Sequence, residues 1–406
     1  MRIELIIIGS ELLSGDRADY SGHFLAGRLY ENGLDVSSIT IVSDIAEYAE
    51  EIVKEASSRS DIIIITGGLN GVTKKIISRV FKKPLILNES VFPKLMSKNK
   101  LQVSNETEAL MPQGAKIIEN KYGIMPGLMF NSGKKIIFAM PGVLSEIKQM
   151  TEDFVLPNIL NFIPRHYYTG TKIIKLLDIN ETEINSKVSG LFKEDPGVSF
   201  SIIPDNNQIS LKIIVKSGTE TKALQRINYY EMKCIELLGK YIWGFDNETM
   251  EEVAGKLLLR NGLTLAIAES CSGGLLSSKI TNIPGSSKYF MGSCVAYANE
   301  IKQKILKISE KIINENGAVS VKVAEEMAKK VRKIYMSQIG IGITGIAGPE
   351  GGTEFKPVGL VYIALSTKNR TYSEKFILSG ERKDIKDKTA FSALNMIRQF
   401  LLSDTL

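Results

Sequence analysis

The residues that can do chemistry in this chain gather around two glycine-rich turns and one lysine between them. The apolar run Leu263 to Ala268 passes into Glu269-Ser270-Cys271-Ser272-Gly273-Gly274 and then into the helical pattern LLSSKIT, an order of strand, tight turn and helix. Ser270 therefore sits where a helix begins, and the free N–H groups and positive dipole end there can stabilise an oxyanion or hold a phosphate. Gly273 and Gly274 let a ligand approach the backbone closely. Three readings of this turn stand side by side. Ser270 is a nucleophile for acyl transfer, or Cys271 is a rival whose thiol ionises more easily at a helix N-terminus, or Ser270 and Ser272 are plain helix caps.

The second turn, Thr344-Gly345-Ile346-Ala347-Gly348-Pro349-Glu350-Gly351-Gly352, follows the strand IGIGI and holds four glycines and a proline in nine residues, more than a simple turn requires. Between the two turns, Val295 to Lys302 reads as a strand ending at Tyr297 and a helix starting near Asn299, so that Lys302 projects from the first helical turn. As a general base Lys302 needs a pKa lowered by burial or by a neighbouring cation; as an ordinary exposed helix lysine it needs neither. Only two histidines, His23 and His166, are present, which leaves little material for a Ser-His-Asp triad or a histidine-rich metal site. A hydrolase here takes its base from another residue type.

Positioning these residues requires sheets, and 406 residues exceed one ordinary core and suggest two or three domains. Residues 1–165 alternate apolar runs (RIELIII, VSSITIV, DIIIIT) with helical patterns, which predicts βαβ units and a parallel sheet. Ile62 to Ile65 is its central strand, buried on both faces and ending in Thr66-Gly67-Gly68, and ligands bind beyond such strand ends. Residues 168–245 follow a βαββα order with a hairpin turn at Asp205 to Asn207. This small α+β domain resembles KH-type RNA binders but lacks their GXXG loop. Residues 247–406 form a second α/β unit closed by a long amphipathic helix.

Composition narrows the function classes. The chain is 44% hydrophobic and 24% charged, as soluble proteins are, and no apolar run approaches the roughly 20 residues that span a bilayer, so no membrane partner is expected. The start, MRIELIIIGSELL, reads as a first strand and not as a signal peptide. Cys234, Cys271 and Cys294 are too few and too scattered for a disulfide framework, which fits a reducing cytoplasm. The net charge of +6 is spread through Lys-Glu mixtures, which favours small anionic ligands weakly and gives little basis for nucleic acid.

Several strings then occur in fixed order: AESCSGG, PGSS (Pro284 to Ser287), VAYANEIK, NGAVS (Asn316 to Ser320), TGIAGPEGGT and KPVG (Lys356 to Gly359). Together they resemble the C-terminal nicotinamide-nucleotide amidase domain of the CinA (competence/damage-inducible) family. The resemblance extends over the whole chain. It implies an N-terminal MoaB/MogA-like α/β sheet domain, a small KH-like α+β middle domain and a C-terminal α/β amidase domain, assembled as a homodimer. It further implies hydrolysis of the carboxamide of nicotinamide mononucleotide to nicotinate mononucleotide and ammonia, a step in NAD recycling that uses neither cofactor nor metal. By the same resemblance Ser270 is the nucleophile, Lys302 the base, and the backbone amides from Cys271 to Gly274 the oxyanion donors. Glu269, Cys271, Ser272, Gly273 and Gly274 fall at the substrate, Tyr297 and Asn299 at nicotinamide or ribose, and Thr344, Gly345, Ala347, Gly348 and Arg382 at ribose and phosphate. Where the family carries Gly-Asp-Arg this chain reads Gly380-Glu381-Arg382, so the arginine alone carries over.

The first domain departs further from the pattern. Family members carry TGGLGPT-x-DD, whose paired aspartates suit a divalent metal and an ADP-ribose pyrophosphatase. Here the stretch runs Thr66-Gly67-Gly68-Leu69-Asn70-Gly71-Val72-Thr73-Lys74-Lys75. Two ammonium groups repel a cation that wants carboxylate oxygens. A degenerate first domain with a solvated helix start at Lys74 and Lys75 is expected, with an anion-holding role for the two lysines as the alternative. Other readings of the whole chain are a nucleotide-binding scaffold or sensor, residual pyrophosphatase activity, or a pterin-like cofactor site suggested by fold alone.

Overall fold

The computed structural model describes residues 1–68, 71–89, 91, 106–162, 168–192, 195–205 and 208–403. In the first domain the run of isoleucines forms the strand Ile62–Thr66, fully buried. Its alternating side chains enter two separate cores, Ile63 and Ile65 beside Val53 and Ile76, Ile62 and Ile64 beside Leu25 and Ile147. Four strands run parallel in the order Val36–Val42, Ile3–Ile8, Ile62–Thr66, Lys135–Met140. The expected parallel sheet ends there, since Gly127–Ser132 and Lys116–Ile118 extend it antiparallel. The reason is local: only Gly133, at φ 62°, and Lys134 separate Ser132 from Lys135, a hairpin and not a crossover.

Beyond the strand ends lies a cleft of about 900 Å³ lined by residues that include Gly9, Glu11, Arg17, Asp44, Gly68 and Glu146. Leu69 and Asn70 of its glycine-rich stretch lie outside the described residues. Lys75 is exposed, as expected of a solvated helix start, but Lys74 is not. Its side chain is 3% exposed, its Nζ donates to the Glu108 carbonyl at 2.5 Å, and burial pulls its pKa down to about 8.

The middle domain has a four-stranded sheet in the order Val198–Asp205, Gln208–Ser217, Tyr168–Leu176, Ile242–Phe245, with helices Glu181–Phe192 and Glu220–Leu238. The fourth strand, antiparallel to Tyr168–Leu176, was absent from the expected βαββα order because IWGF is too short to show a period. Of the turn expected at Asp205 to Asn207, residues 206 and 207 lie outside the described residues.

The third domain begins with α1 (Met250–Arg260), opened by a capping box between Thr249 and Glu252. It continues through β1 (Leu265–Glu269), α2 (Leu275–Thr281), β2 (Phe290–Val295), α3 (Asn299–Lys304), α4 (Glu310–Asn316) and α5 (Val321–Ile334). It ends with β3 (Ile339–Gly345), β4 (Leu360–Ser366), β5 (Thr371–Ile377) and α6 (Arg382–Leu402). The sheet order is β2-β1-β3-β4-β5, with β2, β1 and β3 parallel and the last two strands antiparallel. Along β1, Leu265 and Ile267 join the core of Ile385, Leu394 and Ile397 from α6, while Ala266 and Ala268 face Val323, Met327 and Val331 from α5. The glycines of IGIGI serve the second face. A Cβ at Gly340 or Gly342 would stand 2.2 Å from the Ala328 or Ala324 carbonyl oxygen, so only glycine lets α5 lie this close to β3.

Candidate active site

The chain leaves β1 for β2 on one side and later returns to β3 on the other, so β1 is a topological switch point of this sheet. Crevices outside the carboxyl ends of such strands are where open α/β sheets bind ligands. The three parallel strands deliver the turn after β1, the segment from β2 to α3, and the Thr344–Gly348 loop to the same end.

Ser270 follows β1 directly, and Lys302 rises from the first turn of α3 after β2. The two meet: Lys302 Nζ donates to Ser270 Oγ at 3.1 Å and to the Tyr297 carbonyl at 2.9 Å. Lys302 is 2% exposed and no carboxylate pairs with it among the described residues. Burial therefore lowers its pKa from the ordinary lysine value, the condition a lysine base requires. The first domain's Lys74 shows that burial alone does not make a base, since it has only a carbonyl oxygen as partner.

Cys271, the rival nucleophile, is 6% exposed and belongs to the apolar core, and burial pushes its thiol up to about 12. Held in that core, it is a packing residue. Glu269 also stands elsewhere than the substrate position assigned to it. It is fully buried, and Oε2 accepts from Ser272 Oγ (2.7 Å) and from the amides of Gly274 (3.0 Å) and Leu276 (3.2 Å). Oε1 accepts from the Ser277 amide (2.9 Å) and hydroxyl (2.5 Å). Its carboxylate thus satisfies the N-terminal donors of α2 from below and fixes the turn that carries Ser270. Ser272 spends its hydroxyl proton on the same carboxylate.

This narrows the oxyanion donors. The Gly274 amide is held by Glu269 and the Gly273 amide by the Ser270 carbonyl at 3.1 Å. The amides of Cys271 and Ser272, which lie against the Cys271 sulfur, donate to no oxygen among the described residues.

The remaining assigned residues divide into rim and support. Tyr297 is 58% exposed, and its hydroxyl accepts from Arg382 Nη2 at 2.9 Å, while Arg382 Nη1 donates to the Gly348 carbonyl at 2.5 Å. Arg382 therefore clamps the two loops together, with three N–H groups left over. Asn299 is exposed at the start of α3. Thr344 is buried and donates to the Ala318 carbonyl at 2.8 Å; Gly345 packs where a Cβ would stand 3.0 Å from Cys271 Sγ; Ala347 lies in the core. These three shape the loop from within. One residue went unassigned in the sequence: Lys386, one turn along α6 from Arg382, whose Nζ lies 3.5 Å from where a Cβ on Gly273 would be. The i, i+4 spacing from Arg382 was the available signal.

Family models match three consecutive stretches: "Probable molybdopterin binding domain" over residues 4–161, "Damage-inducible protein CinA KH domain" over 171–244 and "CinA C-terminal domain" over 247–401. A relative from Caldicellulosiruptor saccharolyticus with the given name "Putative competence-damage inducible protein" is 37% identical over 412 residues, covering 99% of this chain and 100% of its own. The "CinA-like protein" of Dictyoglomus turgidum is 35% identical over 412 residues, with the same coverage of 99% and 100%. The crystal structure of a competence or damage-inducible protein from Enterobacter asburiae aligns with 38% of this chain and 99% of its own at 30% identity and a TM-score of 0.37.

Proposed function

The chain belongs to the CinA family, and on that premise we propose that its third domain hydrolyses the carboxamide of nicotinamide mononucleotide to nicotinate mononucleotide and ammonia. The single observation that carries this reading is the buried hydrogen bond between Lys302 Nζ and Ser270 Oγ. Neutral Lys302 takes the hydroxyl proton as Ser270 Oγ bonds to the amide carbon, and the Cys271 and Ser272 amides receive the oxyanion. The protonated lysine returns the proton to the amide nitrogen, the C–N bond breaks, and ammonia leaves an acyl ester on Ser270. Water, deprotonated by the same lysine, then attacks the ester and frees Ser270. No step calls on a metal or cofactor. The assay is direct: purified chain mixed with nicotinamide mononucleotide should release ammonia and nicotinate mononucleotide in equal amounts, and ammonia at the level of a blank would remove the reading. A cytoplasmic homodimer remains part of the proposal; among the described residues no helix is long and apolar enough to cross a membrane.

The first domain is read as having no metal-dependent pyrophosphatase activity. A divalent ion does not fit the positions the family would use, because the buried Lys74 ammonium already holds the Glu108 carbonyl there and Lys75 adds a second positive charge. Among the described residues no group of three or more His, Cys, Asp and Glu side chains is placed to hold a metal. The full chain incubated with ADP-ribose and magnesium or manganese should release no more AMP than without metal. Robust metal-stimulated release would overturn this.

A further inference from the structure

Two of the ordered strings, Asn316 to Ser320 and Lys356 to Gly359, supply no group to the proposed reaction, yet the fold brings them together beside it. Asn316 to Ser320 joins α4 to α5, and every carbonyl from 316 to 319 is met by a side chain. Ser320 Oγ donates to the Gly317 carbonyl at 2.9 Å and Thr344 Oγ1 to that of Ala318 at 2.8 Å. Lys356 Nζ donates to the Val319 carbonyl at 2.8 Å and to the Asn316 carbonyl at 3.4 Å. Thr344 lies near the carboxyl end of β3, which runs parallel to β1, so this connector stands at the end of the sheet that carries Ser270. Asn316 closes α4, whose last carbonyls lack intrahelical donors, and an ammonium is a suitable partner for them. Gly317 makes the room. It stands at φ 77° and ψ 151°, a region essentially confined to glycine, and a Cβ on it would come within 2.8 Å of Lys356 Nζ. Among the described residues Lys356 pairs with no carboxylate.

The lysine belongs to the returning half of the β3–β4 loop. The neck of that loop is closed by the Ile346 amide on the Leu360 carbonyl and the Gly359 amide on the Ile346 carbonyl, both at 2.8 Å. Beyond the neck, residues 349–355 are exposed, and among the described residues their one backbone bond runs from the Thr353 amide to the Lys356 carbonyl at 2.8 Å. Two cations hold what the neck leaves loose. Arg382 reaches the outgoing half at the Gly348 carbonyl and joins it to Tyr297, whose own carbonyl accepts from Lys302. Lys356 ties the returning half to the α4–α5 connector. Ser270 and Lys302 stand on the turn after β1 and on α3, which meet without help from this loop. Loosening the loop therefore changes how the mouth receives a substrate and leaves the dyad's own geometry in place.

We propose that Lys356 is a positioning residue of the amidase site: seated on the Val319 and Asn316 carbonyls, it fixes the β3–β4 loop in the shape that receives substrate. It acts through the loop and not on the reacting atoms. The kinetic arm of its test rests on the amidase reading, and a second arm is independent of that reading. With nicotinamide mononucleotide, Lys356→Met should raise KM about 5- to 20-fold while kcat stays within about threefold of the unaltered chain. Lys356→Arg keeps a cation with donors for both carbonyls and should recover most of the loss. The pH midpoint of kcat/KM should be the same in all three proteins, because Lys302 keeps its surroundings. Hydrogen exchange without substrate should quicken in residues 316–320 and 346–359 of Lys356→Met, while the amides of β1 and α3 keep their rates. If no protein releases ammonia, the amidase reading fails, and the exchange pattern alone decides for or against Lys356 as the anchor of the loop. An unchanged KM in an active Lys356→Met, a loss confined to kcat, an arginine variant no better than the methionine one, or exchange equal to that of the unaltered chain overturns the proposal.

Discussion

Replacing Ser270 by Ala should lower ammonia release from nicotinamide mononucleotide by about 10⁴-fold or more, and Lys302→Met should do the same. The double variant should be no worse than either single one, because nucleophile and base act as one unit. Lys302→Arg should not restore activity, since a guanidinium of that size stays protonated at every accessible pH and cannot accept the Ser270 proton. The pH dependence follows from the same geometry. Burial favours the neutral amine, and the neutral amine is the reactive form, so kcat/KM should rise with pH and level off at a midpoint below the ordinary lysine value of about 10.4. Activity that falls as pH rises, or a single variant within tenfold of the unaltered enzyme, would take the dyad out of the mechanism.

The second large effect is expected from Glu269, and it falls on stability first. Glu269→Ala removes the acceptor for three amides and two hydroxyls in a site without water access. Leaving buried donors unmet costs about 1–3 kcal/mol each before relaxation, so a net loss of roughly 3–5 kcal/mol is expected after the turn adjusts. Glu269→Gln keeps one carbonyl oxygen but turns an NH2 group toward other donors, and should fall between the two. The chain offers its own reporter. Its one tryptophan, Trp243, is 5% exposed and packs edge-on against Phe391, ring centroids 5.7 Å apart, in the core that also holds Ile267 of β1. Urea unfolding followed by Trp243 fluorescence should show the ordering Ala, Gln, unaltered chain. A Glu269→Ala midpoint that coincides with the unaltered chain's would mean that the carboxylate does not hold the turn.

What could be read ahead of the structure, and what could not, follows from the range of the interactions concerned. Strand, turn and helix around Ser270 are written in neighbouring residues, and so is the start of α3 at Lys302. The isoleucines of Ile62–Thr66 declare a buried strand in the same way. Glu269 reads as a substrate residue in sequence because a carboxylate beside a nucleophile looks the same whether it faces a ligand or the helix beneath. Only the direction of its side chain separates the cases. Lys74 reads as a solvated residue in sequence because the carbonyl that receives its ammonium, Glu108, is 34 positions away. Lys386 is an ordinary helix lysine in sequence for the same reason, since its neighbour, Gly273, comes from another part of the chain. The antiparallel edge of the first sheet hinged on a two-residue connection that a reading by periodicity passes over.

The ladder beneath the site has a consequence for how the protein fails when heated. β1 and β2 pair from Leu265 and Phe290 to Glu269 and Val295, with one register shift between Leu265 and Ala266, and the Ala296 amide adds a last bond of 2.7 Å to the Glu269 carbonyl, one residue before Ser270 and six before Lys302. The turn that carries Ser270 and the segment that leads through α3 to Lys302 thus leave the sheet side by side, at the interstrand repeat of about 4.8 Å. Such a spacing does not loosen by degrees. Heat inactivation should therefore have no early phase of its own, and the temperature at which catalysis disappears should be the temperature at which the sheet itself melts.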